Sequence, residues 1–492
     1  MLLYATLTSV WEAAHRPFWF DEVFTVVLTE MPSFRQVVAA LRDAADTSGP
    51  GYYVVQHLFG RLALDPHVSY RLSSVFATSL ICLVVFTFAR RDVGPTSAMA
   101  AVFVVLASQL YHGYSVEARP YALMTLGVAL AALAWQRADS WRWTIVMIAS
   151  LIGAVAVHYY AVFVLMPFGA AEAARCVRTR QIRWGVWLAL MGGGLTLLLM
   201  WPLLSALRSY YGANYWSTPS IGKALITYDT LSGLGGGGGL GLALALGLAL
   251  LALLARAVSR HSSSTATWPP PESLVLVLGL LGLPVIVVSI TWLMGGGYTD
   301  RYAIGVIPGL ALGGAYVSGA LEPRHRSWLL AFMVCAFGAR ELAFWGSGGT
   351  AVGLRQGPAM NAQPDLLAKA TALALPMMVA SGLDYVPLAY YTRQMSIDLV
   401  GVTDHVAALR HVGTDSIERD LVVLSRYMPL RVESFETFNA AHPVFLLLAR
   451  PSPFSWWTTE LLERGHTLTV VHTSGVFTLF KVERVFPAPL PQ

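Results

Sequence analysis

Two adjacent carboxylates near the start of the chain are the first residues whose type and spacing could support chemistry. Asp21 and Glu22 follow the aromatic run Phe18-Trp19-Phe20, and aromatic residues concentrate at membrane surfaces. Neighbouring side chains on a helix point about 100° apart, so one carboxylate can enter a pocket while the other orients it or faces solvent. We take Asp21 as the pocket residue. The alternative is an acid at a helix N-terminus, which the helix dipole favours.

A second polar cluster places an acid and a base two residues apart, directly before an apolar run. Arg119 can bind a phosphate through its planar fork, and Glu117 can position a substrate hydroxyl or a cation. The alternative is a local ion pair, because charges are cheap at the edge of a membrane span but cost roughly 2.5–3.5 kcal/mol or more at its centre. The sequence leaves both interpretations open.

Two further polar clusters lie where apolar runs begin or end. His158, Tyr159 and Tyr160 separate two such runs, and the histidine is either a satisfied interfacial residue or a catalytic one. Arg301 and Tyr302 precede a late run, and the guanidinium of Arg301 can also bind two phosphate oxygens.

The composition indicates that these clusters belong to a membrane protein. The chain of 492 residues is 55% hydrophobic and only 12% charged, against roughly 25% charged residues in soluble domains. Basic residues exceed acidic ones, 33 to 28, which is compatible with anionic lipid or nucleic acid until the arginines are located. The cysteines, Cys82, Cys176 and Cys335, have no metal-ligand spacing, and we expect them to be packing residues.

Apolar runs long enough, or nearly long enough, to cross a bilayer continue along most of the chain. With a short N-terminal run they predict about eleven helices. That first run is short for a span, which leaves a truncated helix or a misplaced start open, and we expect no cleavable signal peptide. The longer runs cover residues 72–89, 97–113, 121–136, 143–158, 160–174, 185–204, 236–255, 273–294, 302–320 and 327–345.

The arginines fall on alternate connections between these runs, and the positive-inside rule makes that set cytoplasmic. The four polar clusters then share the opposite, periplasmic face, and a nucleic-acid partner is not indicated. The cytoplasmic set comprises Arg90, Arg91, Arg137, Arg142, Arg175, Arg178, Arg180, Arg183, Arg256, Arg260, Arg324 and Arg326.

The sequence therefore predicts a mainly α, polytopic transmembrane helical bundle over residues 1–345, with 12–71 as the first external loop. Beyond residue 351, short apolar runs alternate with amphipathic segments, which predicts a small extracytoplasmic α/β domain over 351–492. A stretch at 467–483, broken at Ser474-Gly475, predicts a closing hairpin. The short apolar runs are 376–381, 398–402, 420–425 and 444–449.

Taken in order, the motifs resemble those of the GT-C superfamily of membrane glycosyltransferases. The resemblance is to the bacterial group of protein O-mannosyltransferases and the lipid A aminoarabinose transferase, which is glycosyltransferase family 39-like. The matching pieces are the aromatic-Asp-Glu motif ending at Glu22, the Glu-Ala-Arg-Pro-Tyr core that starts at Glu117, His158-Tyr159-Tyr160, and Arg301-Tyr302. Where relatives show an acid followed by Pro-Pro-Leu-Tyr, this chain departs from the pattern with Gly49-Pro50-Gly51-Tyr52-Tyr53.

The resemblance implies an inner-membrane enzyme that transfers a sugar from a polyprenyl-phosphate-linked donor to an acceptor hydroxyl on the outer face. It further implies that the acceptor is a glycan, a lipid or a protein and that membrane lipids surround the chain. It does not require a cofactor, but a divalent cation such as Mg²⁺ or Mn²⁺, bridging Glu22 or Glu117 to the phosphate, is an open alternative. The implied roles are catalysis for Asp21, Glu22 and Glu117, phosphate binding for Arg119 and Arg301, and substrate contact for His158, Tyr159, Tyr52 and Tyr302.

Two other classes of function also fit a polytopic chain with charged external loops. A transporter or flippase for lipid-linked saccharides should carry polar groups near the bilayer midplane and often internal repeats, and the sequence shows neither clearly. A non-catalytic envelope assembly protein would use the external domain for binding and the charged loops as scaffolding.

Overall fold

Long apolar runs fold into a helical bundle, and a small mixed sheet follows it. The computed structural model describes residues 1–259, 269–349 and 364–484, so Arg260 and the expected domain start at 351 lie outside the described residues. The predicted fold class, mainly helical with a small α/β region at the end, is confirmed. The first helices are α1 Leu2–His15, α2 Phe20–Thr29, α3 Phe34–Arg42, α4 Pro50–Phe59, α5 Pro66–Ala107, α6 Gln109–His112, α7 Tyr121–Trp135, α8 Trp141–Val157, α9 Leu165–Thr179, α10 Trp184–Leu199, α11 Trp201–Tyr211 and α12 Ile221–Ser232.

The remaining helices and the strands complete the described chain. The helices are α13 Gly238–Ser259, α14 Pro271–Leu281, α15 Leu283–Met294, α16 Val306–Ala320, α17 Pro323–Gly346, α18 Pro364–Leu373, α19 Gly382–Tyr391, α20 His405–Val412, α21 Ser416–Leu424, α22 Phe435–Ala441 and α23 Trp457–Glu463. Short 3₁₀ turns cover Tyr114–Val116, Tyr159–Val164, Gly212–Asn214 and Asp300–Ala303. The strands are β1 Met377–Val379, β2 Leu399–Thr403, β3 Val432–Ser434, β4 Val444–Ala449, β5 His466–Ser474 and β6 Phe477–Arg484.

The α5 segment covers the predicted run 72–89 and the first part of the predicted run 97–113. Its 42 residues would measure about 63 Å as one helix, twice the roughly 30 Å of a bilayer core. Gly94 divides it with a positive φ of 80°, directly before Pro95. The second run was predicted too long, because the helix ends at Ala107 and Ser108 caps the short α6 by accepting from Leu110 N–H.

Four helices of the described residues are long and apolar enough to cross a membrane: α5, Tyr159–Thr179, Gly238–Val258 and α17. The number rises to as many as six if each of two bent pairs forms one span. The α10–α11 pair bends by 49° and the α14–α15 pair by 56°. Proline explains both bends, because Pro202 and Pro284 lie in the first turn after each break and cannot donate to the preceding turn.

The sheet of the C-terminal region has the order β3-β2-β1-β4-β6-β5. Strands β1 to β4 are parallel and β6 joins β4 antiparallel, so the parallel part is completed by a hairpin. The predicted hairpin with a break at Ser474-Gly475 is confirmed, and Gly475 adopts the positive φ of 57° that its turn requires. The apolar run 420–425 is not a strand, because most of it belongs to the amphipathic helix α21.

The chain forms two compact units that do not follow the sequence order. One holds Met1–Arg16, Thr47–Ser205 and the described residues from 217 to 349; the other holds Pro17–Asp46, Ala206–Trp216 and the described residues from 364 onward. Within the second unit, Phe18 N–H donates to the Tyr391 hydroxyl at 2.6 Å, and the Tyr427 hydroxyl donates to Asp43 at 2.6 Å. The expected division into 1–345 and 351–492 stays a prediction, and the sequence pattern did not indicate that residues 17–46 would join the second unit.

Candidate functional site

The predicted carboxylate pair lies in the first turn of α2, in the second unit. Glu22 is fully buried, and its Oε2 accepts from the Trp19 backbone N–H at 3.3 Å. This contact satisfies a donor at the helix start, so Glu22 fixes the geometry of the turn. Asp21 is half-buried beside it and benefits from the positive end of the helix dipole.

A third acid of the second unit, Asp420, interacts electrostatically with Asp21, and the sequence analysis did not single it out. The Tyr211 hydroxyl is hydrogen-bonded to the carboxyl of Asp420 and lies 3.3 Å from the carbonyl oxygen of Ala44. Burial raises the pKa of the Asp420 carboxyl well above its usual range; the hydrogen bond with Tyr211 opposes the rise, and the negative charges of Asp21 and Asp46 add to it. Asp420 sits on an ordinary amphipathic helix, so no local signal marked it.

In the first unit, three of the predicted clusters come together through their aromatic rings. The Arg301 guanidinium lies 5.5 Å from the centre of the Tyr121 ring, in a cation–π arrangement. The Tyr121 ring lies 5.6 Å from the His158 ring, which in turn lies 5.3 Å from the Tyr302 ring. His158 Nδ1 accepts from the Tyr160 backbone N–H at 3.3 Å, and this fixes the tilt of the imidazole. All four of the ring-contact residues are buried.

Glu117 and Arg119 are buried in the turn that precedes α7, at 2% exposure each. The Ser74 hydroxyl donates to the carbonyl oxygen of Glu117 at 2.7 Å and lies 3.4 Å from that of Arg119, so α5 fixes the backbone of the turn. Oε1 of Glu117 lies 3.7 Å from Nη2 of Arg16, a partner that the sequence did not indicate. A predicted loop residue is therefore held inside the helical unit.

The departure at Gly49-Pro50-Gly51 has a steric reason in the first unit. The Gly49 N–H donates to the Val157 carbonyl at 3.0 Å, and a Cβ at Gly49 would lie 2.2 Å from the carbonyl oxygen of Ala156. A Cβ at Gly51 would lie 2.8 Å from the Ala156 Cβ. The chain thus needs glycine to begin α4 against the end of α8, with Pro50 in the first helical position.

Two predicted substrate contacts lie near this glycine turn. The Tyr52 hydroxyl accepts from the Gln56 side-chain amide at 2.5 Å, and the Tyr159 hydroxyl contacts the Ser48 carbonyl at 3.4 Å. Both rings are buried. The first unit accordingly contains Tyr52, Glu117, Arg119, His158, Tyr159, Arg301 and Tyr302, whereas Asp21 and Glu22 belong to the second. The roles expected for both sets stay predictions.

The described residues contain one group of three metal-type ligands, His411, Glu460 and Glu463, in the C-terminal region. Glu460 is buried and already contacts Arg410, Arg464 and His411. Neither Glu22 nor Glu117 belongs to a group of this kind within the described residues. A divalent cation at those two carboxylates therefore stays an open alternative.

No family model matches the sequence, and no curated protein matches it with significant similarity. Solved structures match in fold. The chain superimposes on ArnT from Cupriavidus metallidurans bound to undecaprenyl phosphate with a TM-score of 0.58, at 13% identity over 97% of this chain and 96% of that one. The apo state of the same protein gives a TM-score of 0.59 at 14% identity and the same coverage. The chain thus has an ArnT-like fold along almost its whole length, and the predicted helical bundle with a small C-terminal α/β region is confirmed.

Proposed function

We propose that the protein is an inner-membrane glycosyltransferase that moves a sugar from a polyprenyl-phosphate carrier to an acceptor hydroxyl on the periplasmic face. The observation that carries this proposal is the likeness over 97% of the chain to a structure solved with undecaprenyl phosphate bound. The buried cluster of Arg301, Tyr121, His158 and Tyr302 supports it, because it combines a fixed cation with aromatic surfaces.

The proposed periplasmic location of the polar clusters rests on the arginines at the other ends of the same helices. The Arg183 guanidinium contacts Glu172 and donates to the Trp135 carbonyl at 3.0 Å, and Arg178 pairs with Glu272. These contacts join the ends of α7, α9 and α14, so the basic connections gather at one end of the bundle, as the positive-inside rule predicts for a cytoplasmic face. The polar clusters and the C-terminal domain would then be periplasmic.

The chemistry requires a base and a stabilised leaving group. An acceptor hydroxyl is a poor nucleophile, and we assign Asp21 to take its proton as the anomeric carbon is attacked. The leaving group is a lipid phosphate whose negative charge grows in the transition state, and Arg119 and Arg301 would stabilise that charge where water is scarce. Direct displacement would invert the anomeric centre.

The remaining candidates take supporting roles in this scheme. Glu22 keeps α2 in the conformation that presents Asp21, through its bond to the Trp19 N–H. Glu117 would position a hydroxyl of the substrate or hold a cation. His158, Tyr159, Tyr52 and Tyr302 would contact the sugar or the acceptor, since aromatic faces and a fixed imidazole suit a ring that carries hydroxyls.

The decisive variant is Asp21→Asn, which keeps the shape of the side chain and removes the base. Purified protein in detergent would be given a panel of undecaprenyl-phosphate sugars, including mannose and aminoarabinose, with an envelope glycolipid extract as acceptor. We expect release of undecaprenyl phosphate to fall by about 10²- to 10⁴-fold, the usual contribution of a general base. Glu30→Gln, at the exposed far end of the same helix, is the matched control. Transfer at the wild-type rate by Asp21→Asn would refute the assignment.

The same assay separates the enzyme from the two other classes of function. A flippase or an assembly protein gives no turnover of a lipid-linked sugar in detergent. If the protein is a glycosyltransferase, Arg119→Ala should raise the donor concentration that gives the half-maximal rate. An unchanged donor dependence would favour the plain ion-pair interpretation of that turn.

A further inference from the structure

Arg16, at the end of α1, is a buried arginine whose guanidinium makes no hydrogen bond within the described residues. The residue is 3% exposed, and Nε, Nη1 and Nη2 all lack an acceptor. Its contact with Glu117 Oε1, at 3.7 Å, is an ion pair too long to be a hydrogen bond. A buried charge is expensive unless it is both paired and hydrogen-bonded. The donors of Arg16 are therefore available to an acceptor that the described part of the chain does not supply.

The backbone that carries Arg16 is fixed by a second buried arginine. Arg71, on α5, is fully buried, and its Nη1 donates to the Ala13 carbonyl at 2.8 Å and also to the Arg16 carbonyl. These bonds satisfy the last carbonyls of α1, as basic side chains commonly do at a helix C-terminus. Arg71 therefore stabilises the end of α1, and the side chain of Arg16 is not needed for that purpose.

The segment that faces Arg16 is fixed by the same helix. Ser74, one turn after Arg71, contacts the carbonyl oxygens of both Glu117 and Arg119. Helix α5 therefore sets the positions of Arg16 and of the turn that carries Glu117 at the same time. The Arg16 guanidinium therefore lies beside the Glu117 carboxylate on a backbone that Arg71 and Ser74 hold in place.

This pair of groups matches the chemistry of a phosphate that carries a sugar. The planar fork of an arginine binds two phosphate oxygens at once, and a neighbouring carboxylate accepts from a sugar hydroxyl. We infer that Arg16 binds the phosphate of the lipid-linked donor, next to Glu117. The inference rests on the proposed function and adds to it a phosphate-binding residue that lies outside the recognisable motifs.

Arg183 provides a matched control, because it is also a largely buried arginine of the helical unit. Its guanidinium contacts Glu172 and the Trp135 carbonyl, so its donors are used within the protein. A lysine in either position keeps the charge and loses the fork. Only at position 16 should this change reduce phosphate binding.

The test measures the affinity of the purified full-length protein in detergent for undecaprenyl phosphate, with undecaprenol and inorganic phosphate as the other two ligands. We expect Arg16→Ala to raise the Kd for undecaprenyl phosphate by about 10- to 100-fold, the effect of losing hydrogen bonds from a charged donor. Arg16→Lys should lie in between, and Arg183→Lys should match the wild type. Undecaprenol should bind weakly, and its affinity should not depend on position 16.

Three results would overturn the inference. If the wild type binds undecaprenyl phosphate and Arg16→Ala binds it equally well, Arg16 is only the counter-ion of Glu117, although the proposed function stands. If inorganic phosphate binds as tightly as the lipid and with the same dependence on Arg16, the ligand is free phosphate. If the wild type does not distinguish undecaprenyl phosphate from undecaprenol, the proposed function itself fails. Should Arg16→Ala not give monodisperse protein, Arg16→Lys decides between these outcomes.

Discussion

Replacing Glu418 with glutamine should change how the stability of the C-terminal domain depends on pH. Glu418, on α21, is 7% exposed, and burial, with smaller contributions from Asp415 and Asp404, raises its pKa from 4.5 to about 7, while its own backbone N–H opposes the rise. Folding thus favours the protonated form. Between pH 4.5 and about 7 the native domain holds a proton that the unfolded chain has released, so the stabilisation is fully present below pH 4.5 and is lost as the pH rises through about 7.

The size of the effect follows from the two pKa values. The difference, 7 minus 4.5, is about 2.5 pKa units, and at 1.36 kcal/mol for each unit the wild type loses about 3 kcal/mol in total. Between pH 5 and pH 8 the loss is about 2.5 kcal/mol, or about 70-fold in the equilibrium constant for opening. Glutamine is always neutral, so Glu418→Gln should be free of this loss.

Hydrogen exchange measured by mass spectrometry gives the required comparison. Peptides from β2 and α21 are followed in wild type and variant at equal pH, because the ratio then cancels the pH dependence of intrinsic exchange. The ratio of wild-type to variant opening should rise about 70-fold from pH 5 to pH 8. Glu436→Gln, at an exposed carboxylate of the same domain, should leave the ratio flat. A constant ratio for Glu418→Gln would refute the reasoning.

Two further predictions concern the helical unit. Gly49→Ala should destabilise the protein by about 1–3 kcal/mol, because its Cβ would lie 2.2 Å from the carbonyl oxygen of Ala156 on α8. The control is Gly153→Ala, also on α8, whose Cβ meets nothing within 4 Å and which should be neutral or stabilising. Thermal unfolding in detergent compares the two variants, and equal melting temperatures would contradict the steric argument. Arg301→Lys keeps the charge but loses the planar contact with the Tyr121 ring, so we expect the KM for the donor to rise about 10-fold in steady-state transfer. An unchanged KM would show that the guanidinium fork is not used.

Local sequence features were enough to predict several elements of this fold, although not the helices α2 to α4, which lie in the segment predicted as the first external loop. Apolar runs located helices such as α7 and α8 to within two residues at either end, because a helix packed among other apolar helices consists of a continuous stretch of apolar side chains. The closing hairpin was predicted from a different local pattern, because a Ser-Gly pair that interrupts an apolar-rich stretch marks a turn. The bends after α10 and α14 were not predicted as such, although the prolines that cause them are visible in the sequence.

The candidate site was predictable only in part. The motifs singled out Glu117, His158 and Arg301 because acidic, imidazole and guanidinium groups stand out at the ends of apolar runs. The structure places Arg301 and His158 beside the same tyrosine, and their roles stay predictions. Glu22 carried the same signal, yet its bond to the Trp19 N–H gives it a capping contact. Residue type alone does not distinguish a ligand from a cap.

The sequence by itself determined that the chain is apolar and mainly helical, the positions of several long helices and the polar clusters at their ends, since each of these follows from a composition or a period within a short window. Only the tertiary structure decided that Arg16 lies beside Glu117, that burial and the charge of Asp21 raise the pKa of Asp420, and that Gly49 packs against Ala156. Each of these contacts joins residues far apart in the chain. The free energy of such a contact depends on how helices pack, and no local pattern of side chains records that.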